Sequence, residues 1–203
     1  MYNVIEMKDE LNDAMLIARS RIKTQFVTAF KKFYQNNQSP AATALPAPRI
    51  DVVALTTLQD LKGIFRGEGF YVIFTDRPVA NNTCELWAGD LQAVYRGECS
   101  TTRKRITSHL FNAKYKEEYA VRKERYESAQ KNTGRDFYEP FWAHCIKLDE
   151  GSPGGINLEQ EPYNNYKWLV AVHRMEDSSQ QVRELAELAF DEAFGHPAAS
   201  RDR

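Results

Sequence analysis

The stretch from Tyr95 to His109 places cations where a helix is expected to begin, an arrangement that suits phosphate binding. A short β-forming run closes at Gly97. Ser100 or Thr101 can then cap a helix, because each hydroxyl can accept an otherwise unsatisfied backbone N–H. The first turn carries three cations: Arg103, Lys104 and Arg105. Cations there oppose the helix dipole by roughly a few tenths of a kcal/mol each. We therefore expect a compensating anion, and a phosphate suits a helix N-terminus.

The spacing around Arg105 resembles part of a nuclease signature. A Tyr-x-Gly triplet covers residues 95–97, Arg105 follows its tyrosine by ten positions, and His109 lies four residues later on the same helix face. This order is similar to the second half of the GIY-YIG nuclease signature. The first half, a Gly-hydrophobic-Tyr strand, matches Gly69-Phe70-Tyr71, and Glu187 can supply the glutamate that the family carries on a later helix.

The resemblance implies a metal-dependent DNA endonuclease and a role for each residue. Glu187 would bind one divalent metal, Mg²⁺ or Mn²⁺, as a hard carboxylate, and Arg105 would hold the scissile phosphate. Tyr71 would be the general base for the attacking water, or would position it. Tyr95 would hydrogen-bond the phosphate or the metal-bound water, and His109 would assist proton transfer or orient Tyr71. An unperturbed phenol has a pKa of about 10, so Tyr71 would need the metal or Arg105 to favour its phenolate.

Other functions stay open because each residue alone has an ordinary interpretation. Tyrosines on strands are usually core aromatics, and a lone Arg, His or Glu on a helix is usually solvated or packed. A catalytically silent nucleic-acid-binding module that kept the fold is one alternative. An interaction protein whose basic helix meets an acidic partner is another. Among nucleases, the resemblance favours a restriction, phage-defence or mobile-element enzyme over the excision-repair type, whose extra domains the sequence lacks.

The segment from 101 to 135 is basic, with ten basic and four acidic residues in a chain of formal net charge −1. A local basic stripe suits phosphate contact. A solvated helix with i,i+4 ion pairs would have the same composition. We expect DNA to contact five of these cations: Arg103, Lys104, Lys114, Lys116 and Arg122.

Cysteine content and hydropathy indicate a cytoplasmic protein. The three cysteines form no CxxC motif and suit free thiols in a reducing compartment. No apolar run approaches the roughly 18 residues of a membrane span. The acidic residues near the start do not fit a signal peptide. His144, Cys145 and His173 lack the spacing of a zinc site, so we expect them in the core.

The predicted architecture is one α/β (α+β) domain over residues 50–203, preceded by a helical extension and a proline-rich linker over residues 1–49. Residues 1–36 have a broad helical apolar stripe from Leu11 to Phe33, which should pack on the domain, on a second copy of the chain, or on both. A small, mainly antiparallel sheet flanked by helices should use five strands, at 50–55, 69–75, 94–98, 141–147 and 166–175. One long helix, either continuous or broken in the middle, is expected over 101–131. The last helix should begin at a capping box of Ser178 and Gln181 and end at Gly195 and Pro197.

Two residues depart from the family pattern. Arg96 stands where the family has an aliphatic residue, so it must be exposed, covered by polar groups, or paired, for example with Glu98. Ser200 replaces an asparagine three residues after the closing proline, which puts one supporting hydrogen bond in doubt.

Helical periodicity selects the metal carboxylate among the acids of the last helix. At about 100° per residue, Glu187 and Glu192 lie on opposite borders of the apolar stripe, whereas Glu184 and Asp191 face solvent. Only a border position lets a carboxylate reach into a cleft while its helix packs. Glu187 is also ten residues before Pro197, which matches the spacing of the family, so we predict Glu187 rather than Glu192.

Overall fold

The computed structural model describes residues 4–36, 49–112, 145–148 and 155–201. Five strands form one sheet in the order β1-β5-β2-β4-β3, and every neighbouring pair is antiparallel. Its strands are β1 (Ile50–Ala54), β2 (Gly69–Thr75), β3 (Trp87–Ala88), β4 (Leu91–Cys99) and β5 (Trp168–Arg174). The helices are α1 (Val4–Asn36), α2 (Thr102–Leu110) and α3 (Gln180–Phe194). The predicted mixed α/β fold with an antiparallel sheet is therefore confirmed.

The central strand β2 is buried along its whole length and separates two apolar cores. Tyr71 and Ile73 face a core that includes Ile106 and Leu110 of α2. Phe70, Val72 and Phe74 face the opposite core, beside Phe30 of α1 and Phe190 of α3. This is the alternation expected from a strand period of two, and it places Tyr71 on the α2 side of the sheet.

Helix α1 divides into a packed half and an exposed half. Phe30 and Tyr34 are buried against the sheet and α3, and Lys23 binds Glu192 of α3 at 2.7 Å. Residues 7–21 are exposed throughout, including Leu11 and Met15. The apolar stripe of the extension therefore packs on the domain only through its second half.

The outer edge of β4 is covered first by the short strand β3 and then by the last part of the described chain. β3 pairs with β4 at Leu91 and Gln92. Further along β4, the carbonyl of Val94 accepts a hydrogen bond from Ala199 N at 3.0 Å. Arg96 N donates to Ser200 Oγ at 2.8 Å. Ser200 thus makes a hydrogen bond to β4.

Several predicted boundaries are wrong. The helix expected over 101–131 is interrupted early: α2 ends at Leu110, where Phe111 forms a β-bridge with Asn157, and residues 113–144 lie outside the described part. The expected strand over 141–147 is absent from its described residues, 145–147.

Both predicted helix starts also need correction. Thr101 precedes α2 without a capping hydrogen bond from its side chain. Helix α3 begins one residue later than predicted, because Ser179 Oγ accepts the N–H of Val182 and is the actual cap. Its end at Gly195, with a positive φ of 83°, is as predicted. Within the described residues, no helix combines the length and the apolar composition that a membrane span needs.

Candidate active site

A cleft of about 600 Å³ opens at the uncovered end of β4, between the sheet and α3. It lies where the side chains of β2 and β4, the first turns of α2 and the inner side of α3 meet. Four of the five residues of the signature line this cleft: Tyr71, Tyr95, Arg105 and Glu187. The fifth, His109, contacts Tyr71 from behind, with 2.8 Å between its Nε2 atom and the phenolic oxygen.

The hydrogen bonds of His109 assign its tautomer. The backbone N–H of Ile146 donates to Nδ1 of His109 at 2.8 Å, so Nδ1 carries no proton. In the neutral ring the proton is therefore on Nε2, which donates to the oxygen of Tyr71. His109 is fully buried. The imidazole thus presents a fixed N–H to the phenol and cannot take the proton of Tyr71 in this arrangement.

Tyr95 completes an aromatic group beside the cleft. Its ring centroid is 4.5 Å from that of His109 and 6.1 Å from that of Tyr71, with the two phenol rings nearly parallel. Gly97 lies directly opposite Tyr71 in the sheet. A Cβ atom at Gly97 would be 2.6 Å from the Tyr71 oxygen, so the Tyr-x-Gly spacing leaves the space that the Tyr71 hydroxyl occupies.

Burial raises the pKa of both phenols, and Arg105 opposes that effect. The pKa of Tyr71 is well above its ordinary value because the side chain is desolvated, and Tyr95 raises it further. Burial raises the pKa of Tyr95 to about 12, although its hydrogen bond with Tyr71 lowers it. The positive charge of Arg105 lowers both values. Both tyrosines are therefore neutral phenols at neutral pH, with a cation nearby that can stabilise negative charge.

Glu187 reaches the cleft across the edge of β4. Its side chain is buried, and Oε1 accepts the backbone N–H of Glu98 at 3.1 Å. The same oxygen lies 3.3 Å from Nη1 of Arg96. The competing acid Glu192 instead pairs with Lys23 of α1. Of the two border acids predicted from periodicity, the structure brings Glu187 to the tyrosines.

Arg96 is buried and paired, but its partners differ from the one expected. It binds Asp191 through two hydrogen bonds, Nε to Oδ1 at 3.0 Å and Nη2 to Oδ2 at 2.6 Å. Asp191 also contacts His196 at 2.9 Å. The prediction that Asp191 faces solvent is therefore wrong, because a buried guanidinium on the neighbouring strand attracts it.

A second buried ion pair in the cleft was missed by sequence reasoning. Arg183 donates from Nε to Oε2 of Glu98 at 2.9 Å and from Nη1 to the carbonyl of Ser178 at 2.5 Å. Both charged side chains are less than a tenth exposed. The sequence did carry a signal that Arg183 belongs to the site, because Arg183 lies beside the apolar stripe of α3 and four residues before Glu187. A cation on a helix is ordinarily solvated, however.

The predicted DNA-binding cations are only partly described. Arg103 is directed away from a phosphate at the helix start, since its guanidinium donates to the backbone carbonyls of Lys62 and Ile64. Lys104 is exposed on α2. Lys114, Lys116 and Arg122 lie outside the described residues. Arg105 is the cation of the first turn that lines the cleft.

The donor set fits a single hard cation. Within the described residues no three His, Cys, Asp or Glu side chains cluster as a complete metal site. Mg²⁺ commonly takes only one or two carboxylates and completes its coordination with water and substrate phosphate. Glu187 supplies one such carboxylate to the cleft.

Comparisons with protein-family models, with curated proteins and with solved structures found no match to this chain. The function is therefore inferred from the residues of the cleft and their geometry.

Proposed function

We propose that this protein is a metal-dependent DNA endonuclease of the GIY-YIG type, which hydrolyses phosphodiester bonds. One observation carries the proposal: five residues spread from position 71 to position 187 come together at one cleft. They are Tyr71, Tyr95, Arg105, His109 and Glu187. A chance match of short motifs would not be expected to converge in this way, because the tyrosines lie on separate strands and the other three residues on two helices.

Arg105 and Glu187 would bind the charged groups of the reaction. The guanidinium of Arg105 stays charged and offers a planar set of donors to the scissile phosphate. Glu187 would hold the divalent ion. When bound, that ion supplies positive charge to the phosphoryl oxygens and lowers the pKa of coordinated water. Four arginines line the cleft. Arg96 and Arg183 are held in buried ion pairs, so Arg105 and Arg201 are the two that would meet an anionic backbone.

Tyr71 and His109 would orient the attacking water. The N–H of His109 fixes the oxygen of Tyr71 by a hydrogen bond. Burial keeps Tyr71 protonated at neutral pH, which favours positioning of the water over proton abstraction in the resting protein. Any negative charge that develops on this oxygen would be stabilised by the same N–H and by Arg105. Tyr95 would hydrogen-bond the phosphate or a metal-bound water.

One observation favours a second candidate function. Arg96 binds the oxygen of Glu187 that also accepts the Glu98 N–H, so a cation already contacts the carboxylate that a metal would need. A nucleic-acid-binding module with weak or no cleavage would have this feature. In either case we propose DNA as the partner. The described cysteines are buried and form no disulfide with one another, in keeping with the cytoplasmic location that we propose.

Plasmid nicking with Mg²⁺ or Mn²⁺, compared with EDTA, tests the proposal. Wild type should nick only with metal, and Arg105→Ala should lose cleavage by about 100-fold or more while it keeps its fold. Arg105→Lys should rescue poorly because an ammonium lacks the planar fork. Near-normal cleavage by Arg105→Ala would contradict the site. If wild type does not nick DNA with or without metal, but binds DNA with an affinity that falls steeply with salt, the result would support the binding module instead.

A further inference from the structure

The exposed half of α1 carries an ordered apolar stripe. Met7, Leu11 and Met15 recur every four residues, and all three side chains are about half exposed, at 47%, 56% and 51%. At about 100° per residue they fall within a sector of about 80° of the helix, which includes Ala18 and is bordered by Ala14. Leu16 and Ile17, exposed by 64% and 60%, lie outside this sector. The described chain covers the stripe only from Ile22 onward.

Charge changes sign along the same segment. Positions 8 to 13 carry Lys8 and three acids, Asp9, Glu10 and Asp13, for a net charge of −2, and two exposed arginines follow, Arg19 and Arg21. If two α1 helices packed in parallel, the acidic residues of one copy would lie beside those of the other. If they packed antiparallel, the acidic end of each helix would lie beside the basic end of the other. The midpoint between Glu10 and Arg21 falls at about residue 15, which is also the middle of the apolar stripe.

The flanking positions agree with this register. On the helical projection, Glu10 and Arg21 lie on the same side of the stripe, about 20° apart. In an antiparallel helix pair, residues on the same flank of the two helices are neighbours. Glu10 of one copy would therefore lie beside Arg21 of the second copy, and the pair would occur twice across the two-fold axis.

We propose that α1 pairs antiparallel with α1 of a second copy of this chain, with Met15 near the two-fold axis and Glu10 of each copy beside Arg21 of the other. The segment from Met7 to Ile22 spans roughly 24 Å of helix. A contact of this length is small, so we expect an equilibrium between monomer and dimer rather than an obligate dimer. The proposal does not depend on nuclease activity.

Sedimentation over a concentration series tests the association. Wild type should shift from monomer to dimer with rising concentration. The double variant Leu11→Glu with Met15→Glu should raise the dimer dissociation constant by about 100-fold or more, because four buried apolar side chains are replaced by charges. Both positions are exposed and Glu favours helix, so the fold should survive. Leu188→Glu is the matched control, because Leu188 is 44% exposed on a different helix. A monomer at all concentrations, or an equal effect of Leu188→Glu, would overturn the proposal.

Cysteine cross-linking tests the orientation. The described native thiols are buried, so introduced surface cysteines report contacts. Met15→Cys should form a disulfide with itself across the axis. Leu11→Cys should not, because the two copies of residue 11 would be about 12 Å apart along the helices. A mixture of Leu11→Cys and Ala18→Cys should cross-link. Efficient self-linking of Leu11→Cys would indicate parallel pairing and overturn the proposed arrangement.

A charge exchange tests the register. Glu10→Arg should weaken the dimer, and Arg21→Glu in the same chain should restore it, because each ion pair is then reversed. Additive weakening by the two substitutions would show that residues 10 and 21 do not meet.

Discussion

Nη1 of Arg96 lies 3.3 Å from Oε1 of Glu187, and each side chain is only 4% exposed. The guanidinium is held in turn by two hydrogen bonds to Asp191. The candidate metal carboxylate is therefore oriented from strand β4 as well as from its own helix. A buried charge of this kind is stable only while its partners remain.

Arg96→Ala should cost a large part of the stability of the protein. The change removes the cation shared by Glu187 and Asp191, so we expect the free energy of unfolding to fall by about 3–5 kcal/mol. Urea denaturation measures it. Lys167→Ala is the control, because the pair of Lys167 with Asp90 is exposed on both sides and an exposed ion pair contributes little to stability. Equal losses in the two variants would show that Arg96 is not a structural partner of the site.

Glu187→Gln and Glu192→Gln distinguish two acids of the same helix. Glu187 lines the cleft, whereas Glu192 pairs with Lys23 on α1. We expect Glu187→Gln to lose metal-dependent nicking by about 100-fold or more and Glu192→Gln to retain it. Thermal unfolding of both variants checks the fold. An inactive Glu192→Gln beside an active Glu187→Gln would reverse the assignment.

Tyr71→Phe should reduce turnover without weakening DNA binding. The variant keeps the ring but removes the oxygen that accepts the N–H of His109, so we expect a drop of about 100-fold in the single-turnover rate. The lost hydrogen bond should also cost about 1–3 kcal/mol of stability.

Tyr34→Phe is a matched control for Tyr71→Phe. The Tyr34 hydroxyl bonds to Nε2 of His173 at the same distance, 2.8 Å, in the core on the other side of the sheet. Tyr34→Phe should lose stability to a similar degree and leave turnover unchanged. Equal turnover in Tyr71→Phe and wild type would make Tyr71 a core aromatic.

The stability of the protein should fall as the pH is lowered, because of His173. Burial lowers its pKa to about 4, whereas an unfolded histidine titrates at about 6.5. Between these values the unfolded state binds more protons, so stability is complete above pH 6.5 and declines as the pH falls toward 4, by up to about 3 kcal/mol. Chemical denaturation at several pH values measures the slope. His173→Phe should remove this part of the slope, and an unchanged slope would contradict the assignment.

The position of the site could be predicted from sequence because it follows local rules. A strand period of two places Tyr71 apart from Phe70 and Phe74, and the structure agrees. A helix period of 3.6 places Glu187 at the border of the apolar stripe of α3, from which it reaches the cleft. Both predictions depend only on the periodicity of residues that are close together in the sequence.

The ion pairs of the site could not be predicted, because their partners are distant in sequence. Arg96 and Asp191 are 95 positions apart. A helical projection assigns Asp191 to solvent because it gives only the angle between Asp191 and the apolar stripe, not the residues of other elements that lie beside it. Arg183 was overlooked for the same reason, since its partner Glu98 belongs to β4. The tautomer of His109 depends on the N–H of Ile146, a contact that no local pattern encodes.

The covering of β4 by Ala199 and Ser200 has a consequence for aggregation. A strand edge with open N–H and C=O groups is a template on which another chain can pair. In this protein the segment that covers this edge lies a few residues beyond the helix that carries Glu187. Proteolytic cleavage after α3 would therefore expose an unpaired strand edge beside the cleft. We expect preparations of the cleaved protein to aggregate and become turbid on storage.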